Sequence, residues 1–448
     1  MENTKNINLG SRINKLPDAI LHHVLSFLDM KQVLETTRIS TRWRYLWIHV
    51  PTLNFDCSLW KVSSTKCYQF VEYVFLLHDG PSAKKFNFLC SSVGMDKLNI
   101  WLTMLTRKHI PQVSLKISSL DDTKELVPLF FTSSVEVVDI ESTFISSRKV
   151  SKHNIQLPKS ICGAPHLRTL NLNSIRLPKG DSNKEVILKC HVLENLILED
   201  CYYAHLTSFN ISIPQLKVLT MKNIAGELVT TVGSCKIRIS TPNLTTLYLK
   251  CCSFENYFIE NCDSLVSAKV EFARGTLLSD EGKLSLDCLK NATRLEFSDW
   301  TLEVCLEFQN MLDWMRDIFC DLRSLKLVKW HQPSSTSALA SLLTRSPNLE
   351  YLILELIQGN SNTSTMENLE NLHSFGHHLK SVEILNFTGC QFEMKLVESV
   401  LKNAISLEEL TVTVHSSRSS KLGLKDYMRQ IHALPRVSSR LLTCVLPP

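Results

Sequence analysis

Side chains able to do covalent or metal chemistry are plentiful in this chain, but their spacing makes no known site. Fifteen cysteines run from Cys57 to Cys444 and never form C-x-x-C, the spacing of zinc sites and redox dithiols. The histidine pairs His22-His23 and His377-His378 are adjacent, and neighbouring residues cannot turn both imidazoles to one face, so they are read as surface histidines rather than ligands. Cys251-Cys252 follows an apolar strand pattern, which suits one core thiol and one exposed thiol with no base to activate either. Trp300 and Trp330 sit just past strand patterns, where they are expected to pack. No G-x-G-x-x-G, G-x-x-x-x-G-K-[ST], G-x-S-x-G or H-E-x-x-H occurs, and 13 glycines leave few loops that could cradle a phosphate. The expectation is no cofactor, no metal and no intrinsic catalysis.

The informative residues are apolar, and they define two kinds of element. The first is Leu16–Trp47, LPDAILHHVLSFLDMKQVLETTRISTRWRYLW. With Ala19 at zero and 100° per residue, Phe27, Ile20, Val24, Leu28, Leu21 and Leu25 span an arc of about 160°, wider than the roughly 100° one core requires. Pro17 suits the first turn of that helix. Asp29 with Gln32 forms a capping-box pattern for a second helix carrying Val33 and Leu34, and Ser40 or Thr41 is expected to cap a third carrying Trp43, Leu46 and Trp47. Three short helices bury too little surface to stand alone, so the segment needs either a partner or the domain that follows it.

The stretch resembles an F-box, through Leu16-Pro17, Ile20-Leu21, Val24-Leu25-Ser26-Phe27-Leu28 and Ser40-Thr41-Arg42-Trp43-Arg44-Tyr45-Leu46-Trp47, and its ending through Val50-Pro51 and Leu53-Asn54-Phe55-Asp56 is similar to plant members. It departs from the usual pattern at Ala19, often Glu, and Thr41, usually basic. The resemblance implies binding to the Skp-type adaptor of a cullin–RING ubiquitin ligase. Leu16, Pro17, Ile20, Val24, Leu25 and Leu28 are then expected to contact the adaptor, while Trp43, Leu46 and Trp47 pack the small bundle.

The second element is a repeat. A Leu-x-x-Leu-x-Leu template recurs at Leu167, Leu193, Leu216, Leu244, Leu322, Leu349 and Leu407, with weaker copies beginning at Ala83, Ile110, Val135, Leu265, Ala292 and Val382. Twelve steps between positions 83 and 407 average roughly 27 residues, inside the range of leucine-rich repeats. The last two apolar residues of each copy share one strand face. The residue three further on is often Cys or apolar, as at Ile175, Cys201, Ile224, Cys252, Ile357 and Cys390, and should fold back into the core. Longer steps can hold return helices, as at residues 309–315 and 337–344, and shorter ones are expected to run as extended loops. A further stretch, His378–Ile384, Glu398–Ala404 and Leu407–Leu410, resembles the FBD-type C-terminal module of plant F-box/leucine-rich-repeat proteins.

The predicted architecture is α/β: a disordered N-terminus (1–10), a three-helix F-box (11–56), a helical linker (57–80) with Phe70, Val71, Val74, Phe75 and Leu77 on its packed side, then an irregular solenoid of about 13 repeats (81–415). Parallel strands line its concave face, the FBD-like region (377–415) closes it, and a basic tail (416–448) follows. Solvent-facing positions between the strand leucines are the candidate contacts for a protein substrate: Arg168, Asn171, Lys217, Thr246, Tyr248, Arg323, Lys326 and Tyr351.

Composition bounds the function class. Apolar content of 44% and charged content of 21% are ordinary for a folded protein. The net charge of +5 equals the excess of basic residues within 415–448, so the remainder is near neutral and no broad nucleic-acid-binding face is expected. The N-terminal residues lack the apolar core of a signal peptide, no run approaches the 18 or so apolar residues of a membrane span, and the odd cysteine count suits a reducing compartment. Triplets such as those at Asn210 and Asn386 are then chance glycosylation matches. The expectation is a nuclear and/or cytoplasmic, non-catalytic substrate receptor of an SCF-type ligase. The alternative is a leucine-rich-repeat scaffold acting outside such a ligase.

Overall fold

Apolar pairs recurring at the repeat spacing become parallel strands whose leucines lie in register. The computed structural model describes residues 13–57, 64–79, 83–90, 93–117, 124–142, 155–203, 205–222, 235–251, 257–272, 289–298, 301, 319–330, 336–357, 378–416 and 421–447. The helix expected at 309–315, the disorder expected at 1–10, and His377, Trp300, Cys252 and Ile224 lie outside these residues. The chain divides into two compact units, Met1–Leu216 with Thr230–Ile237, and Lys217–Val229 with Arg238–Pro448.

The first unit begins with three short helices, Asp18–Leu25, Met30–Glu35 and Trp43–Leu46. The capping box forms as its sequence indicates: Lys31 N–H donates to Asp29 Oδ1 (2.8 Å) and Asp29 N–H to Gln32 Oε1 (3.2 Å). The third helix has no side-chain cap, contrary to the expectation for Ser40 or Thr41. Arg42 sits at that boundary with helical backbone, and it reaches back to the Asp18 carboxylate and to the carbonyls of Asn14 and Leu16 (2.6 Å to Leu16). Trp43 Nε1 donates to Asn14 Oδ1 (2.6 Å), so the approach to the first helix is clamped from the third.

Strand Thr52–Asp56, which the sequence division assigns to the end of the F-box, is already the first strand of a parallel sheet. Its neighbours are Lys85–Cys90, Gln112–Ile117, Val137–Ser142, Thr169–Asn173 and Asn195–Glu199. Leu53, Phe86, Val113, Val138, Leu170 and Leu196 occupy one buried row. The linker helix, Ser64–Leu77, is therefore the return between the first two strands. It buries Val71, Val74 and Phe75 and leaves Leu77 exposed. The Phe86 ring lies 5.7 Å from that of Phe55 and 5.4 Å from that of Phe75, and Phe88 meets Trp101 edge to face at 5.1 Å. This aromatic chain runs through strand, return helix and the next return helix, Met95–Arg107.

Polar contacts tie the helical segment to the first strand. Asn54 Nδ2 donates to the carbonyls of Ser26 (2.9 Å) and Leu28 (3.0 Å), and Asp56 N–H donates to Asp29 Oδ2 (2.7 Å). His78 is buried just after the return helix, with Nε2 at 2.9 Å from the Val50 carbonyl, so Nε2 carries the proton. Burial holds its pKa below the ordinary histidine value, and Lys108 and His49 nearby oppose protonation further while Asp79 and the Val50 carbonyl favour it. The neutral form is thus the folded form. Below about pH 6.5 the unfolded chain takes up a proton that folded His78 resists, so stability present above that pH is lost as the pH falls. A denaturant titration at pH 7.5 and 5.5 should show this drop, and His78→Gln should make it smaller; an unchanged drop would clear His78 of the effect.

The second unit continues the pattern with Val218–Lys222, Thr246–Cys251, Ser267–Phe272, Arg294–Ser298, Ser324–Trp330, Tyr351–Leu356, Ser381–Phe387, Glu409–Val414 and Leu442–Leu446, each parallel to the next. The last is the second strand beyond the thirteen expected. It belongs to the stretch read as a basic tail, 416–448. That tail instead folds as helix Lys421–His432 and an edge strand, buries Ile431, and anchors Ser438 Oγ on the Leu407 carbonyl (2.6 Å).

The repeat copy placed at Val382-Leu385-Phe387 is out of register. Leu352 pairs with Val382 and Leu354 with Ile384, so the true copy is Leu379-Val382-Ile384, all three buried. The error has a structural cause. Ser174, Asp200, Lys329 and Asn386 have φ between 48° and 60°, and each stands two residues past the last apolar residue of its repeat template, Leu172, Leu198, Leu327 and Ile384. A left-handed residue there reverses the alternation, and the next side chain turns inward: Ile175, Cys201, Trp330 and Phe387 are all buried. Phe387 is therefore the strand's last residue, paired with Val414 beyond a register shift and folded into the core, although its spacing imitates the last position of a repeat copy. Ile357 and Cys390, expected in the core by the same rule, are only half-buried.

Return segments follow step length. Thr336–Thr344 is helical, close to the expected 337–344. Shorter steps carry back strands instead of the expected loops, as where Glu185–Leu188 pairs with Ser208–Ser212. Helix Gln391–Asn403 begins at a nest that sequence reasoning did not single out. The buried Glu393 carboxylate accepts from the backbone N–H groups of Thr388 (2.7 Å), Gly389 (2.7 Å) and Cys390 (3.3 Å) and from the Thr388 hydroxyl. Gly389 has φ +77°, and a Cβ there would strike the Tyr427 ring, whose hydroxyl donates to the Thr388 carbonyl (2.9 Å). Glu393→Ala strands these donors and is expected to cost about 2–3 kcal/mol in an unfolding measurement. A loss under about 0.5 kcal/mol, the range of ordinary surface substitutions, would show the nest to be dispensable.

Candidate interaction surfaces

The wide apolar arc of the first helix is divided. Leu21 and Leu25, at its inner end, are buried in the helical segment and its join to the sheet; Leu25 is 1% exposed. Ile20 (46% exposed), Val24 (43%) and Phe27 (73%), at its other end, face solvent, with the Phe27 ring edge-on to His23 at 4.9 Å. Pro17 is exposed, and Leu16 and Leu28 are half-buried. Leu25 is thus withdrawn from the outward set, because one end of so wide an arc must cover the core the helix shares with Trp43, Leu46 and Trp47, all buried. Phe27 joins the outward set, since it lies nearest Ile20 on the arc. Trp47 stacks on Tyr73 at 6.4 Å, so the return helix braces the turn Trp47–His49 that follows the third helix. His22 is half-buried rather than a plain surface residue, and burial lowers its pKa.

The strand-face residues fall into two groups. In the first unit Asn171 occupies the central outward row with Asn54, Asn87, Ser114, Asp139 and Ile197. Asn87 Nδ2 donates to Asn54 Oδ1 (2.6 Å) and Ser114 Oγ to Asp139 Oδ2 (2.9 Å), whereas the buried Asn171 Oδ1 has no partner among the described residues. Arg168 is exposed at the approach to its strand and pairs with Glu194 (2.8 Å). In the second unit Lys217 and Arg323 are exposed at strand approaches, and Arg323 donates to the Asn348 carbonyl (3.2 Å). Thr246 and Tyr351 share one outward row, and Tyr248 and Lys326 share the next. No group of three or more His, Cys, Asp or Glu among the described residues could hold a metal, and no described helix is long and apolar enough to cross a membrane.

Tyr248 is the centre of the best-defined cluster. The ammonium groups of Lys222 and Lys269 each lie 5.0 Å from its ring centroid, and its hydroxyl donates to Glu271 Oε1 (3.0 Å). Lys269 also pairs with Glu271 (3.1 Å) and Glu296 (2.6 Å), and Lys250 with Glu271 (3.4 Å). Burial and the Glu271 charge push the Tyr248 hydroxyl up to about 12, so it stays a donor. Burial alone would raise Glu271, but hydrogen bonds from Lys269 and Tyr248 outweigh it and hold the carboxyl below its ordinary value. The cluster gathers three ammonium groups and two carboxylates around a Tyr248 hydroxyl that stays protonated.

Buried cysteines are similarly inert: burial pushes Cys190 up to about 11 and Cys201 to about 12, far from the thiolate a nucleophile requires.

A helical segment that exposes half of an apolar arc, joined to stacked parallel-strand repeats, defines an F-box protein with leucine-rich repeats. Residues 13–54 match the F-box domain, and residues 76–430 match the family described as At1g61320/AtMIF1, LRR domain; the chain belongs to that family. It is similar along nearly its whole length to proteins of Arabidopsis thaliana. One is the F-box/FBD/LRR-repeat protein At5g56420, 25% identical over 455 residues and covering 98% of this chain and 99% of the relative. Another is the FBD-associated F-box protein At4g10400, 23% identical over 435 residues and covering 93% and 96%.

Proposed function

We propose that this chain is the substrate-recognition subunit of an SCF-type cullin–RING ubiquitin ligase, working in the nucleus and/or cytoplasm. The observation that carries the reading is the uncovered Ile20–Val24–Phe27 face on an F-box helix whose opposite apolar end is already packed. That face docks a Skp-type adaptor, with Pro17 and the half-buried Leu16 and Leu28 at its margins. Arg42 holds the Leu16 loop in place for the contact. The outward strand rows take an unidentified target protein. The chain itself performs no covalent step, since ubiquitin transfer belongs to other subunits. The Trp47–Tyr73 stack and the Asn54 and Asp29 hydrogen bonds make the join to the sheet stiff, which suits a receptor that must hold cargo in place within the ligase. Co-purification of the full-length chain with a Skp-type adaptor tests the reading. Failure to retain adaptor under native conditions overturns it and leaves a repeat scaffold acting elsewhere.

A further inference from the structure

The outward strand face of the second unit changes charge along its length. Its first four strands build the Tyr248 cluster, in which three lysines gather around Tyr248, Glu271 and Glu296. Alongside and beyond it the outward positions bring Arg294 and Lys326, neither in an ion pair among the described residues. The strands Tyr351–Leu356, Ser381–Phe387 and Glu409–Val414 carry Glu355, Glu383 and Glu409 at outward positions and no cation there. Glu355, Glu383 and Glu409 likewise have no ion pair among the described residues.

Between the two halves stands an apolar step. Tyr351, 47% exposed, neighbours Ser324 on the basic side and Ser381 on the acidic side, and Ile353 lies between Lys326 and Glu383. Neighbouring strands are about 4.8 Å apart. Arg294 and Glu409 lie four strands apart, beyond the screening length of about 8 Å at physiological salt, so each half acts on a ligand as its own field. An exposed aromatic between opposite charges is the composition of an interface anchor.

We propose that this face binds a protein segment of opposite polarity. Its acidic end lies over Arg294 and Lys326, an apolar or aromatic side chain packs on Tyr351 and Ile353, and its basic end lies over Glu383 and Glu409. Nucleic acid does not fit, because the three glutamates would repel its phosphates. The assignment rests on the reading that the target occupies the strand rows, and it narrows that target to a bipolar segment lying across the strands.

A phage-displayed library of random peptides, each long enough to cross these strands, is panned on the full-length chain at low salt. The expected result is enrichment of sequences with acidic residues at one end, basic residues at the other and an apolar residue between. Enrichment should fall at least tenfold when salt is raised well above the physiological level, and as much in Arg294→Glu/Lys326→Glu and in Glu383→Lys/Glu409→Lys. Arg294 and Glu409 are exposed and Lys326 and Glu383 are half-buried on outward positions, so the unfolding midpoint of each variant should match that of the parent and verify its fold. Enriched peptides without charge polarity, enrichment that survives both reversals, or no enrichment at all would overturn the assignment. Adaptor capture on the same preparations is read separately: its absence counts against the ligase reading alone.

Discussion

Ile20→Glu combined with Val24→Glu is expected to weaken adaptor capture about 100-fold or more while leaving the unfolding midpoint close to that of the parent chain. Both residues are almost half exposed on the outward end of the helix arc, so charge there costs little in the free protein. In a complex each glutamate would be buried against apolar surface without a partner. Interface anchors lost in this way typically cost about 2 kcal/mol or more apiece, and about 1.4 kcal/mol is tenfold in affinity. Leu25→Glu makes the contrast. That side chain lies in the core, so its substitution should unfold the segment and abolish capture for a different reason, visible as lost stability. Capture that survives the double substitution would place the adaptor surface elsewhere.

Phe86→Ala is expected to lower the stability of the first unit by about 3–5 kcal/mol. The ring is fully buried and touches Phe55 before it, Phe75 on the return helix and Phe88 on its own strand. Repeats contact only their neighbours, so a cavity at one rung breaks the chain of interfaces instead of being shared across a globular core. The helical segment depends on that rung, because Phe55 is on the strand that Asn54 and Asp56 tie to Leu28 and Asp29. The substitution should therefore weaken adaptor capture as well, through unfolding. Chemical denaturation checks it, and a loss below about 1 kcal/mol, no more than an average substitution costs, would mean that the aromatic chain is not what holds the first rungs.

The two substitutions probe different kinds of information. Repeat spacing was legible because every strand contributes the same pair of inward side chains, and burying that pair is possible only by stacking on a copy of itself. Leu170, Leu196, Leu219, Leu247 and Leu325 could therefore be placed from spacing alone. The Asp29–Gln32 capping box was legible because its hydrogen bonds close within a single turn of chain. Val382-Leu385-Phe387 was misplaced because a left-handed Asn386 shifts the register and turns Phe387 inward at a spacing that imitates a repeat copy. The C-terminal strand was missed because, as the edge of the sheet, it needs one buried face at most and lacks the leucine pattern.

The amino-acid order thus determined the class of fold, the F-box, the rung positions and the surplus of apolar surface on the first helix, all of which depend on periodicity and local bonding. Tertiary structure decided how that surplus is divided, turning Leu25 inward and leaving Phe27 outside, because only the position of Trp43 and the first strand sets which end of the arc is covered. It also decided which charges meet. Lys222, Tyr248, Lys269, Glu271 and Glu296 are scattered along the sequence and become one cluster only when parallel strands bring them into register.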